Sequence, residues 1–391
     1  MKTSFLFSII FFFSFQLVAQ DGVCVRGNDG AYYDLAGKPC TNTVLSAVPF
    51  LRIAPDARSA GMGEAGIATA QDASALHFNA SKLVFLESSN NLTLNYAPWL
   101  RPLDSRSNGV FLYGAYYGQL NKRQAIGVSY RSLTMKEVDY TNAAGEATGS
   151  GPVREGELNI AFAQRLSSKF SVAVSGKFVR SNLVLDQIGA LVIVNFKSDK
   201  ATAFDLSSTY TRKLRKEKDV LTVALAASNL FSKIGYSNLI YKDYLPANLG
   251  LGVAYRREIG QKNSIIFTTE LNKLLVPIPQ ISNDTVPINL PIRYASLKSM
   301  ARSFHDAPGG FREELHEIMV STGVEWAYKK AFFLRTGYFY EHKTKGNRKF
   351  LTFGIGGKYK TLEANLSYLK CTTQYTTPLD NTMRFSILIR V

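Results

Sequence analysis

The chain has 391 residues, enough for two or three ordinary soluble domains or one large barrel. Mean hydropathy is −0.04, yet the chain carries 20 tyrosines, 25 phenylalanines and 29 glycines. Neutral hydropathy with many aromatics and no long apolar run fits a transmembrane barrel, whose strands are apolar on one face only. The net charge of +16 is spread along the chain with no basic tail or arginine-rich block, which argues against a nucleic-acid partner.

The first residues read as a secretory leader over 1–19. Lys2 supplies a positive start, Phe5 to Val18 is largely apolar but short for a membrane span, and Ala19 offers a small residue for cleavage before Gln20. Cys24 follows no lipobox-like pattern, which speaks against a lipoprotein. Cys24 and Cys40 lie close together in sequence rich in Gly and Asp, with no histidine beside them. A local disulfide is expected in an oxidising compartment, ahead of a metal site. Cys371 is left over as a thiol in an expected loop.

Residues 20–90 form an N-terminal region that ends in a periplasmic or lumenal plug. Its core runs from Pro49 to Asn79 and includes Asp56, Arg58, Gly61, Gly63, Gly66, Asp72 and Asn79. It is rich in small residues and does not alternate like a lipid-facing strand, so it is expected to pack closely inside the barrel from the periplasmic side. Gly61, Gly63 and Gly66 satisfy G-x-G-x-x-G. A dinucleotide site also needs a preceding strand, a following helix and a βαβ frame, and none is legible around Pro55-Asp56-Ala57-Arg58.

From residue 91 to 391 the sequence alternates with period two, which puts apolar side chains on one face and small or polar ones on the other. Strands are expected at 91–97, 109–119, 124–134, 155–165, 170–181, 201–212, 218–228, 246–256, 262–273, 316–328, 331–341, 349–359, 362–370 and 382–391. That is an all-β fold, a transmembrane antiparallel barrel of about 14 strands with an N-terminal plug, most strands near the ~9–11 residues a tilted crossing needs. Short connections alternate with long ones at 135–154, 182–200, 229–245, 274–315 and 371–381 and moderate ones at 98–108 and 342–348. This is the arrangement of short periplasmic turns and external loops, and it places both termini in the periplasm.

Arg165, Lys177, Asp205, Glu270, Glu325, Arg335, Lys358, Glu363 and Arg384 fall on the polar faces and should point inward and pair. Tyr96, Trp99, Tyr130, Trp326, Tyr328, Tyr340 and Tyr359 sit near strand ends, where interfacial girdles are expected. The 274–315 connection is too long to be passive. Leu297, Met300, Ala301 and Phe304 form the apolar face of a short helix, either a lid over the mouth or, with Phe311, a docking surface. The four histidines join no G-x-S-x-G elbow and no H-E-x-x-H, so neither a catalytic set nor a cofactor site is legible.

Asp72-Ala73-Ser74 and His77-Phe78-Asn79-Ala80-Ser81-Lys82-Leu83 resemble the hatch of the FadL-like superfamily of barrels, with Ala80 where that family usually has Pro. Within it, Val48 to Arg58, Leu334 to Glu341, Gly346 to Phe350 and Asn381 to Phe385 are similar to the PorV family of the type IX secretion system. Part of the N-terminal pattern is shared with the related PorQ. The chain departs from common outer-membrane barrels in ending on Val391 rather than an aromatic residue. The resemblance implies a non-catalytic outer-membrane protein set in outer-membrane lipid. Such a protein binds the C-terminal signal domain of secreted cargo, meets it at a large translocon barrel and passes it to a sortase-type attachment complex. Docking is expected on loop 274–315, with 135–154 and 229–245 beside it. The competing expectation is a FadL-like transporter of hydrophobic small molecules, with Ile188–Val194 and Pro277–Pro291 as walls of a pocket. A third is an enzyme acting on lipopolysaccharide.

Overall fold

Alternation along each strand builds the wall. In the computed structural model, inward positions hold Ala, Gly, Ser, Thr and paired charges. Outward ones hold half-exposed Leu94, Leu112, Ile160, Phe204, Phe267, Phe353 and Ile387, the lipid face of a barrel. Among the described residues, no helix is long and apolar enough to cross a membrane. The structure describes residues 25–26, 32–33, 44–69, 72–100, 109–141, 147–183, 199–214, 219–235, 242–277, 296–307, 310–373 and 379–390. The leader, Cys24, Cys40 and Ile188–Val194 lie outside the described residues.

A two-stranded hairpin comes first, β1 (Val25–Arg26) with β2 (Tyr32–Tyr33). The wall then begins with β3 (Asn90–Trp99), β4 (Gly109–Asn121), β5 (Gln124–Thr141), β6 (Ala147–Arg165), β7 (Phe170–Leu183), β8 (Asp199–Lys213) and β9 (Val220–Leu230). A small outer hairpin follows, β10 (Lys233–Ile234) with β11 (Asp243–Tyr244). The wall is completed by β12 (Asn248–Ile259), β13 (Asn263–Leu274), β14 (Met319–Tyr328), β15 (Phe332–Tyr340), β16 (Lys349–Tyr359), β17 (Leu362–Cys371) and β18 (Met383–Arg390). These fourteen wall strands pair antiparallel with their neighbours, and β18 closes on β3.

The turns at 122–123, 166–169, 214–219, 260–262, 329–331 and 360–361 share one end, the periplasmic one by their shortness. The other rim is uneven. β5 and β6 have 18 and 19 residues, whereas β18 has 8. The expected 135–154 loop is therefore mostly hairpin, because pairing continues from Val138↔Gly151 to Thr141↔Ala147 once clear of the bilayer. Cys371, expected in a loop, is the last residue of β17. Tyr96, Tyr130, Tyr328 and Tyr359 face outward, but Trp99 does not join a girdle. It shares the inward phase of Asn91, Thr93 and Asn95, lies buried against Phe111, and carries the Arg384 guanidinium over its ring.

Residues 44–88 run down the lumen, in the direction opposite to that expected. Val44 packs on Leu274, Met319, Phe339, Phe350 and Leu369, all at the outer ends of their strands. Leu86 and Ser89 accept hydrogen bonds from Gln119, beside a periplasmic turn. The segment thus enters at the outer mouth and leaves at the periplasmic one. The path is decided by side chains at its start, since Arg52 reaches Glu341 and the sulfur of Met319 at the outer rim.

Candidate functional site

The lumenal segment is built from turns too short to be stable alone, so the wall must hold it. Asp56 caps α1 (Ala57–Ala60) by accepting from the Ser59 amide at 2.8 Å, and the Ala57 amide donates to Ser386 Oγ of β18 at 2.7 Å. Arg58 makes a two-pronged contact with Glu325, 2.8 and 3.0 Å, and donates to the Thr69 carbonyl. Arg335 donates to the same Glu325 carboxylate at 2.6 Å. Asp72 accepts from Ser74, and Asn79 accepts from Ser81 while donating to the Ile67 carbonyl and Thr209. Asn79 keeps its capping role although Ala80 stands after it.

The three glycines of the G-x-G-x-x-G pattern serve close packing. Gly63 has φ 69°, and a Cβ there would lie 2.6 Å from the Tyr338 carbonyl. A Cβ on Gly66 would meet the Phe78 ring at 2.4 Å, and one on Gly61 would meet Gly354 at 3.1 Å. The wall answers with its own inward glycines: a Cβ on Gly337 would lie 2.2 Å from the Gly63 nitrogen.

The inward charges pair both with this segment and with one another between neighbouring strands. Arg384 binds Glu64 at 2.7 Å, Glu270 accepts from the Ile67 amide, and Arg131 donates to the Leu51 carbonyl as well as to Glu157. Lys177 with Asp205, 2.6 Å, is a pair within the wall. Lys82 donates to the Ala68 carbonyl. Chambers remain toward both ends of the lumen among the described residues. The outer one, about 110 Å³, is lined by charged groups including Arg52, Glu64, Lys177, Glu270 and Arg348. The periplasmic one is about 240 Å³.

The outer mouth carries the second unusual segment. α3 (Ser296–Arg302) and α4 (Phe311–His316) lie in the connection between β13 and β14. The face read as apolar is the one turned away from the barrel. Leu297 is 69% exposed, Ala301 is exposed and Phe304 is 49% exposed, while Ser299 and Ser303 are buried. Met300 is the exception, packing on Leu230, Ala247 and Leu275. In α4, Phe311 is 78% exposed and Leu315 also faces out. The underside of α4 is acidic and buried. Glu314 and Glu317 bind Lys273 of β13, the Glu314 pair at 3.0 Å. Glu313 and Glu317 bind Lys345 at 2.9 and 3.0 Å. Charge-assisted bonds between interleaved carboxylates and ammonium groups thus hold the module from below.

Lys345 belongs to the 341–348 turn, which also reaches the lumenal segment through Glu341. That carboxylate takes Arg348 at 2.8 Å and Arg52 at 3.5 Å, and these cations, Arg348 first, hold it below the usual carboxylate range against burial. His342 stacks on His316 of α4 at 3.7 Å. Burial, then His316, lower His342 to about 4.

Of the docking residues expected from sequence, Leu297, Ala301, Phe304 and Phe311 are outward and Met300 is an anchor. Leu315 and the Lys273–Lys345–Glu313–Glu314–Glu317 cluster were not foreseen. The available signal was Glu313, Glu314 and Glu317 within one helical turn, a density of acid that calls for nearby cations. Among the described residues, no group of three or more His, Cys, Asp or Glu is placed to hold a metal ion.

The family model described as type IX secretion system protein PorV matches residues 38–281, more than half of the chain. Among solved structures the fold is similar to the Ralstonia pickettii toluene transporter TbuX, with 12% identity and TM-score 0.53, covering 86% of this chain and 98% of that one. It is also similar to the P. putida toluene transporter TodX, with 14% identity and TM-score 0.51, covering 86% and 98%. A comparison with curated proteins finds no match.

Proposed function

From the premise that this chain belongs to the PorV family of type IX secretion system outer-membrane proteins, we propose that it is a non-catalytic receptor for secreted cargo. It binds the cargo's C-terminal signal domain at the outer mouth, collects it at the large translocon barrel and delivers it to the sortase-type attachment complex. The observation that carries this reading is the α3–α4 module, with Leu297, Ala301, Phe304, Phe311 and Leu315 turned to solvent over a buried ionic base. Exposed apolar side chains on a firmly held support suit a protein partner better than a mobile gate.

The competing reading is transport of a hydrophobic small molecule, which the fold permits. The outer chamber speaks against it by its size, since about 110 Å³ is well below the ~300 Å³ at which ligand pockets begin, and Arg52, Glu64, Lys177, Glu270 and Arg348 share its lining with apolar residues.

The double variant Phe304→Ser/Phe311→Ser tests the receptor role. Both side chains are exposed, so stability should change by less than ~0.5 kcal/mol each. Gel mobility before and after heating should match wild type, while cargo attached to the cell surface falls at least tenfold. Unchanged attachment in a correctly inserted barrel would overturn the reading.

A further inference from the structure

The arginines and lysines around the periplasmic chamber differ in what they touch. That chamber, about 240 Å³, is bounded by Phe85 to Ser88 of the lumenal segment and by side chains toward the periplasmic ends of β12 through β18. Its arginines hold carboxylates. Arg58 shares Glu325 with Arg335, Arg390 binds Glu363 at 2.6 Å, and Arg256 binds Glu258 at 2.7 Å. Its lysines hold none. Lys358 stands opposite Glu363 across β16 and β17, but that carboxylate is taken by Arg390 and, at 3.1 Å, by the Asn365 amide. Lys330, in the turn between β14 and β15, is exposed. Lys82, from the 3-10 helix Ala80–Phe85, is 8% exposed, and its ammonium donates to the Ala68 carbonyl, a dipole rather than a charge. Among the described residues, no carboxylate lies at ion-pair distance from these three lysines. Glu87, the remaining carboxylate of the lining, is exposed to solvent.

A charge held away from bulk water, as at Lys82, calls for a counter-ion. Here three ammonium groups from three elements line one chamber, and the hydroxyls of Thr211, Thr222 and Ser264 add donors beside them. Ammonium groups and hydroxyls together suit an oxyanion that carries more than one charge. The space equals about eight waters at ~30 Å³ each, and it lies below the ~300 Å³ at which pockets for larger ligands begin. We propose that the periplasmic chamber is a binding site for a small phosphate-type anion, held by Lys82, Lys330 and Lys358. Lys82 belongs to the lumenal segment and the other two to the wall, so the bound anion ties the foot of the segment to the barrel. Entry is from the periplasm, where Glu87 and Lys330 meet solvent. Two sources carry this chemistry, free inorganic phosphate and the headgroup of an inner-leaflet phospholipid. The site does not depend on the receptor reading above.

Radiolabelled inorganic phosphate, titrated at fixed ionic strength onto the barrel purified in a maltoside detergent, tests the site. The midpoint of urea unfolding is followed in the same series. Wild type should bind saturably and unfold at higher urea as phosphate rises, because a ligand of the folded state alone stabilises that state. Lys330→Gln/Lys358→Gln should weaken binding at least tenfold and lose the shift. Lys329→Gln/Lys360→Gln removes the same charge from the same two turns, where these ammonium groups lie over Tyr328 and Tyr359, and should bind as wild type does. Short-chain phosphatidylglycerol in place of phosphate separates the sources. Binding of the lipid but not of phosphate, with the same dependence on Lys330 and Lys358, identifies the headgroup as the ligand. Saturable binding of neither, or equal loss in both lysine pairs, overturns the proposal.

Discussion

The lumenal segment and the α3–α4 module are both departures from the strand pattern, and they treat charge and apolar surface in opposite ways. In the lumenal segment nearly everything is buried, Phe50 and Leu51 as much as Asp56 and Arg58, and the wall comes up to meet it with Gly323, Gly337 and Gly354. In the outer module the carboxylates are buried and the phenylalanines are left in solvent. The first arrangement turns its contacts inward and seats the segment against the wall. The second uses ionic contacts for attachment and keeps its apolar surface available. An ion pair anchored below a short helix allows this, since the helix needs no apolar underside to stay in place.

That contrast is sharpest at Glu325, which serves both Arg58 and Arg335. Glu325→Ala leaves two buried guanidinium groups without their shared carboxylate, a cost of about 3–5 kcal/mol. The purified variant should show frequent openings in planar bilayers where wild type is closed, and a closed variant would mean that packing alone keeps the pore shut.

A smaller effect is expected at the glycine contact. The methyl of Gly337→Ala would overlap the Met62–Gly63 peptide, and overpacking costs typically ~1–3 kcal/mol. The midpoint of urea unfolding in detergent should fall, with little change for the control Gly357→Ala, whose added methyl meets open space.

For the outer module, Glu317→Gln removes the carboxylate shared by Lys273 and Lys345, at about 1–3 kcal/mol. Here the pore should stay closed while the 296–318 region becomes several-fold more sensitive to protease added to intact cells. Equal sensitivity would show that Met300 and the neighbouring turn suffice to hold the module.

The smallest effect concerns pH. His342 has a folded pKa of about 4, below the usual 6.5, so its neutral stack on His316 stabilises the turn above pH 6.5 and is lost as pH falls through 4. Protease sensitivity of the 341–348 turn should rise between pH 6.5 and 4, and a ring titration of His342 near 6.5 would remove this expectation.

The wall was the most legible part, because a period of two with polar and apolar faces is a local property that a bilayer reads strand by strand. Loop 135–154 was misjudged since pairing above the membrane needs no apolar face, leaving little but Val138 and Tyr140 to mark it. Trp99 was misread because its type suggested an interface while its phase, set by Asn91 and Asn95, pointed inward. The lumenal segment could be picked out by its small residues, but its direction could not, because Arg52 and Val44 find partners, Glu341 and Leu274, more than two hundred positions away. The helix at 297–304 could be placed, but not which face it would show.

By itself, then, the sequence determined the class of fold, the strand count near fourteen, the inward charges and the unusual character of residues 49–79 and 274–315. Those follow from alternation, from the cost of charge in lipid, and from glycine and alanine where backbones must approach. Only the tertiary structure decided that the lumenal chain descends from the outer mouth, that Glu325 and Glu317 are each shared by two cations, and that Phe304 and Phe311 face solvent. Each of these depends on which distant side chains meet, and a carboxylate buried under a helix can outweigh the helix's own apolar face.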